Sequence, residues 1–99
     1  MIYFEKWDYN TRIEEFKIVI KEILKEFNLN NKIRKSKDND GVFILDKRFP
    51  CSAFLDISSY INFNEYGKEY VRCQIASVFN IDGYDDRMLY LIRNCYDKV

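Results

Sequence analysis

Apolar side chains recur at helical spacing through residues 11 to 28, TRIEEFKIVIKEILKEFN, with Ile13, Phe16, Ile20, Ile23, Leu24 and Phe27 on one side. This spacing predicts an amphipathic helix. Thr11 followed by Glu14 has the form of a capping box, in which each side chain meets a free backbone N–H. Asn28 to Asn31 supplies residues that tolerate the left-handed conformation at a helix end. Ile18 breaks the stripe, because a 100° step per residue places it in the polar arc. There it either touches the aromatic N-terminus or stands exposed for a partner. Ahead of the helix, MIYFEKWDY gathers Tyr3, Phe4, Trp7 and Tyr9. It reads as an aromatic flap closing the core, as a short strand over 2–5 or an added helical turn, with a docking surface as the alternative.

The pattern then changes to that of strands. KIRKSK leads through the turn Asp38-Asn39-Asp40-Gly41 into VFIL, which predicts a hairpin over residues 32 to 45 with a charged edge strand and an apolar central one. Odd positions from 51 to 63 read Cys, Ala, Leu, Ile, Ser, Ile, Phe, and those from 69 to 79 read Glu, Val, Cys, Ile, Ser, Phe. This alternation predicts a second hairpin that buries its odd residues, closed by Glu65-Tyr66-Gly67 with Gly67 at positive φ. Its outward face would carry Tyr60, Tyr70, Arg72 and Gln74, with Tyr60 stacked on Arg72. The chain closes in a helix capped by Asp82 or Asp85, with Tyr84, Met88, Leu91, Ile92 and Cys95 as its buried stripe. The expected fold is α+β: an antiparallel sheet of about four strands with an N-terminal and a C-terminal helix on one face, in the order α-β-β-β-β-α, forming a single domain over 1–99.

Composition narrows the chemistry. The 99 residues include 16 basic and 16 acidic side chains, so the net basic charge of a general phosphate-backbone binder is missing. There is no histidine, which excludes Ser-His-Asp triads, Cys–His nucleophile pairs and histidine zinc sites. Three cysteines, Cys51, Cys73 and Cys95, stand far apart with no C-x-x-C, as free thiols of a reducing compartment would. No apolar run reaches the about 18 residues of a membrane span, and no signal-peptide layout opens the chain. A cytoplasmic location is expected. Heavy use of Ile, Asn, Lys, Tyr and Phe with few Ala points to A/T-rich codons, as in a low-GC bacterium or a phage or plasmid within one.

Candidate sites follow from spacing. An EF-hand alignment on Gly41 places Asp38 and Asp40 correctly but puts Lys47 where the bidentate glutamate belongs, so calcium is excluded and no metal is expected. Lys32, Arg34, Lys35 and Lys37 form a basic strand. Alternation splits these charges between two faces, and lysine on an edge strand also blocks edge-to-edge association. The acids Asp82, Asp85 and Asp86 sit at a helix start, where ionisation is favoured and a general acid is not made. No phosphate-cradling glycine loop or cofactor motif occurs, and no motif is specific enough to carry a family resemblance.

The expected function is therefore non-enzymatic binding of another protein, by a small accessory inhibitor of the anti-defence (anti-CRISPR-like) or toxin-immunity kind. Tyr60, Tyr70, Arg72, Gln74 and Ile18 are the expected contact residues, and a homodimer through the sheet face or an edge is open. The alternative is a nucleic-acid-binding module that uses Lys32, Arg34, Lys35 and Lys37.

Overall fold

The computed structural model of the chain describes residues 9–47 and 53–96. Its contacts divide the chain into two compact units, one running up to Ile57 and the other from Ser58 onward. The aromatic segment ahead of Tyr9, with Arg48, Pro50 and Cys51, lies outside the described residues. Among those described, no helix is long and apolar enough to cross a membrane.

Among the described residues, the first unit joins one helix to a three-stranded antiparallel sheet. Helix α1 (Tyr9–Glu26) buries Ile13, Phe16, Val19, Ile20, Ile23 and Leu24, a stripe wider by Val19 than the strict spacing suggests. It begins ahead of Thr11, so that residue stands inside the first turn and not at the N-cap position expected for it. Asn28 ends the helix at φ 58°. The Leu29 N–H donates to the Leu24 carbonyl at 2.8 Å and the Asn28 N–H to Lys25 at 3.0 Å, the paired bonds of a Schellman stop.

Strands β1 (Lys32–Lys35), β2 (Gly41–Leu45) and β3 (Ala53–Asp56) pair in that order. The first hairpin thus forms as its turn residues predict, with Lys35 opposite Val42 and Lys32 opposite Leu45. Successive strand residues point to opposite faces. Val42, Ile44 and Leu55 are buried on the face toward α1. The other face carries Lys32, Arg34, Gly41, Phe43, Leu45, Phe54 and Asp56. Gly41 is there because the Phe54 ring lies over it. A Cβ at that position would stand 2.4 Å from both the Leu55 carbonyl oxygen and Phe54 Cζ.

The second expected hairpin does not exist. Only its first residues form a strand, β3; the rest becomes a second, helical unit. This comprises α2 (Ser58–Ile61), a 3-10 turn (Asn64–Tyr66), α3 (Gly67–Val78) and α4 (Asp85–Asn94). Among the described residues the sheet has three strands, where four were expected, and there are four helices where two were expected. The alternation that suggested a strand has a helical origin. In α3, Gly67, Val71 and Ile75 lie along one line (i, i+4, i+8), and Cys73 and Ala76 (i, i+3) lie along another. All five are buried. A helix buried along two lines places apolar residues at 71, 73 and 75, and over so short a window that mimics period 2. Gly67 has φ −59°, so it is helical and not the positive-φ residue of a turn.

Helix α3 ends as α1 does. Asn80 takes φ 55°, with the Ile81 N–H donating to Ala76 at 2.8 Å and the Asn80 N–H to Ser77 at 3.3 Å. Left-handed backbone costs a residue bearing an ordinary Cβ roughly 1–2 kcal/mol. Asn80→Ala should therefore lower unfolding free energy by about 1 kcal/mol, while Asn80→Gly stays close to wild type. Urea titration of the two variants checks this, and equal losses in both would show that the asparagine side chain matters for another reason.

Candidate functional site

The core of the second unit forms around Phe63, Cys73 and Leu91, with Tyr70, Tyr84, Met88 and Cys95 packed against it. The Phe63 ring stacks on Tyr70 at 4.0 Å and meets the edge of Tyr96 at 5.2 Å. Burial raises the Tyr70 phenol and the Cys73 thiol above their ordinary ionisation ranges, with Glu69 adding to the Cys73 shift. Both groups are thereby held protonated, and a protonated thiol is a poor nucleophile.

Helix α4 is amphipathic in an unbalanced way. Tyr84 precedes it as the N-cap residue without a side-chain cap bond; Asp85 and Asp86 sit in the first turn, and neither is the cap. Tyr84, Met88, Leu91 and Cys95 (i, i+4, i+7, i+11) form its inner line, of which Leu91 alone is fully buried. Ile92, expected in that stripe, is turned 100° from Leu91 and is 42% exposed. Leu89 is 49% exposed and Tyr90 57%. These three residues make an apolar ridge along the outer side of the helix, flanked by exposed Asp86 and Arg93. Tyr66 is also exposed; the Glu65 carboxylate beside it, and next Cys95, raise its phenol. Single exposed leucines are ordinary on a protein surface. Three large apolar side chains within four consecutive positions of a short helix are less so.

The expected contact residues are distributed differently from the strand reading. Tyr70, Arg72 and Gln74 would share one strand face, but on α3 Arg72 points away from the Tyr70–Gln74 line. Arg72 pairs with Glu69, which also accepts a bond from Arg87 Nε of α4 at 2.8 Å. Gln74 donates to Ser59 Oγ at 3.2 Å. Tyr60 lies on α2, its carbonyl and ring against Gly67. These side chains tie the second unit together. Ile18, in the first unit, is 53% exposed on α1, and the aromatic segment it was also expected to touch lies outside the described residues.

The basic strand is split as alternation requires. Lys32 and Arg34 share the sheet face that α1 does not cover, Lys35 points the other way, and Lys37 belongs to the turn. On that open face, Arg34, Phe43 and Phe54 align across all three strands. The Arg34 guanidinium sits 4.8 Å from the Phe43 ring centre, and the Phe43 and Phe54 rings are 5.1 Å apart. The turn beyond β1 encloses a shallow concavity of about 460 Å³. Its walls mix Lys35 and Lys37 with Asp38 and Asp40, so it has neither a dominant charge nor an apolar wall. Buried Ser36 anchors this turn by accepting the Asn39 N–H on its hydroxyl at 3.1 Å.

Sequence reasoning missed the ridge. The available signal was the count of apolar residues in 88–92, MLYLI, which exceeds what one helical line can bury. Comparison of the chain with protein families, with curated proteins and with solved structures gives no match.

Proposed function

We propose that this chain is a non-enzymatic protein-binding protein and that it meets its partner through the outer face of α4. The observation that carries this reading is the ridge itself, Leu89, Tyr90 and Ile92, presented by a helix that buries only Leu91. Interfaces concentrate their energy in a few aromatic and apolar anchors ringed by polar groups, and Tyr90 between Asp86 and Arg93 has that composition. A small inhibitor of the anti-defence or toxin-immunity kind would work this way, covering a partner's surface without turning over a substrate.

Leu89→Asp is expected to leave stability within about 0.5 kcal/mol of wild type, because the side chain is half exposed, and to abolish partner capture. Parallel affinity purifications with wild type and variant, each checked by thermal melting, test this. Equal capture by the two folded proteins would refute the ridge as the contact surface.

A second reading is favoured by the row Arg34–Phe43–Phe54. The two rings are tilted 56° to one another, and exposed aromatic rings beside a guanidinium on a sheet face can stack on unpaired bases. In that case a fluorescent single-stranded oligonucleotide should bind with an affinity that falls steeply with salt, and Phe54→Ala should weaken binding by roughly 1–3 kcal/mol. Absence of binding at low salt would dismiss it.

A further inference from the structure

We infer that the occupant of the α4 ridge in the free protein is a second copy of this chain, packed antiparallel across a two-fold axis. The inference rests on the reading of the ridge as a protein contact surface. It is carried by the order of side chains on that surface. Asp86, Leu89, Tyr90 and Arg93 stand at i, i+3, i+4 and i+7, which places all four on one face of the helix. All four are exposed. Asp86 and Arg93 lie equally far from the midpoint of Leu89 and Tyr90, about 5 Å to either side at the helical rise.

A two-fold axis through that midpoint and across the helix therefore does three things at once. It lays Leu89 and Tyr90 against their own copies, brings Asp86 opposite Arg93 of the second copy, and brings Arg93 opposite Asp86. The face is complementary to itself, as a two-fold interface must be. The opposite orientation is disfavoured, since parallel helices would set Asp86 against Asp86 and Arg93 against Arg93. The two charges cannot satisfy each other within one chain, being about 10 Å apart along the helix. The neighbouring Arg87 is already engaged by Glu69 at 2.8 Å, which leaves Arg93 as the cation on this line. Ile92, on the Leu89 flank, extends the apolar strip, and antiparallel packing also sets the two helix dipoles head to tail.

A helix of 10 residues is about 15 Å long, so the contact falls at the small end of specific interfaces. The dimer should be weak, with a dissociation constant on the order of 100 μM. Any other protein that binds the ridge must then compete with self-pairing.

The test is sedimentation of the full chain from about 10 μM to about 1 mM, a range that brackets this constant. The average mass should climb from 12.1 kDa toward twice that value. Asp86→Arg alone and Arg93→Asp alone each set like charges face to face and should weaken pairing at least about tenfold. The double exchange Asp86→Arg with Arg93→Asp should restore it. An equimolar mixture of the two single variants should pair with each other, since one then carries two basic and the other two acidic side chains on the line. Far-UV circular dichroism confirms that each variant is folded. A mass that stays at 12.1 kDa throughout, single variants that pair like wild type, or a double exchange that fails to restore pairing would each overturn the inference. A monomeric chain that still loses partner capture on Leu89→Asp would overturn self-pairing and leave the ridge reading intact. Loss of neither would overturn both.

Discussion

Phe63→Ala is expected to cost about 3–5 kcal/mol of unfolding free energy, the range of a fully buried phenylalanine removed without repacking. Phe63 is 2% exposed and is the largest side chain of the cluster it forms with Cys73 and Leu91. Its ring is stacked on Tyr70, met edge-on by Tyr96, and packed with Cys73 and Leu91. Those neighbours come from α3, from α4 and from the turn after it, so truncation opens a cavity that no single side chain can fill. Small domains are stable by only about 5–15 kcal/mol, which makes this loss a large share of the total. Urea unfolding monitored by helical circular dichroism reads it directly. A loss below about 1 kcal/mol would mean that the unit is not organised around this ring. Leu89, on the outside of α4, should give the opposite profile: little effect on stability and a large one on association.

Gly67→Ala gives a prediction whose sign separates two effects. Gly67 is the first residue of α3 and has ordinary helical angles, so helix propensity alone predicts that alanine stabilises by up to about 1 kcal/mol. Packing predicts the reverse. A Cβ there would stand 2.2 Å from the Tyr60 carbonyl oxygen and 2.8 Å from Tyr60 Cδ1. The oxygen belongs to the backbone of α2, so relief requires moving a helix and not just turning a side chain. Overpacking of this kind costs typically 1–3 kcal/mol, and the close contact should prevail with a net loss of about 2 kcal/mol. Denaturant titration decides between them. A stabilised Gly67→Ala protein would show that α2 and α3 do not approach as closely as described.

The parts of the fold that were legible in the sequence are those buried along a single line. The α1 stripe could be read from Ile13 to Leu24, and the hairpin from the turn at Asp38–Gly41, because each has one covered face and a clear period. Residues 57–79 failed for the opposite reason. Burial of α3 along two lines removed its helical period, and Val71, Cys73 and Ile75 imitated a strand. A local signal was nonetheless present. The chain contains Phe-Asn three times, at 27–28, 63–64 and 79–80, and each of these asparagines takes positive φ. Two of them terminate α1 and α3 with the same hydrogen-bond pattern. Reading Phe79-Asn80-Ile81 by analogy with Phe27-Asn28-Leu29 would have marked a helix end where a strand was expected. The α4 ridge was obscured because Ile92 was expected to serve the core with Leu91, while Leu89 and Tyr90 were assigned to no surface. Leu91 serves the core; Leu89, Tyr90 and Ile92 do not.

On the reading proposed above, the outer face of α4 meets another polypeptide, and a second copy fills it in the free state. Backbone amide chemical shifts recorded over a dilution series test this residue by residue. Shifts should move with concentration at Asp86, Leu89, Tyr90, Ile92 and Arg93, and stay constant at Arg34, Phe43 and Phe54. Concentration dependence confined to the sheet row, or none anywhere along α4, would contradict it.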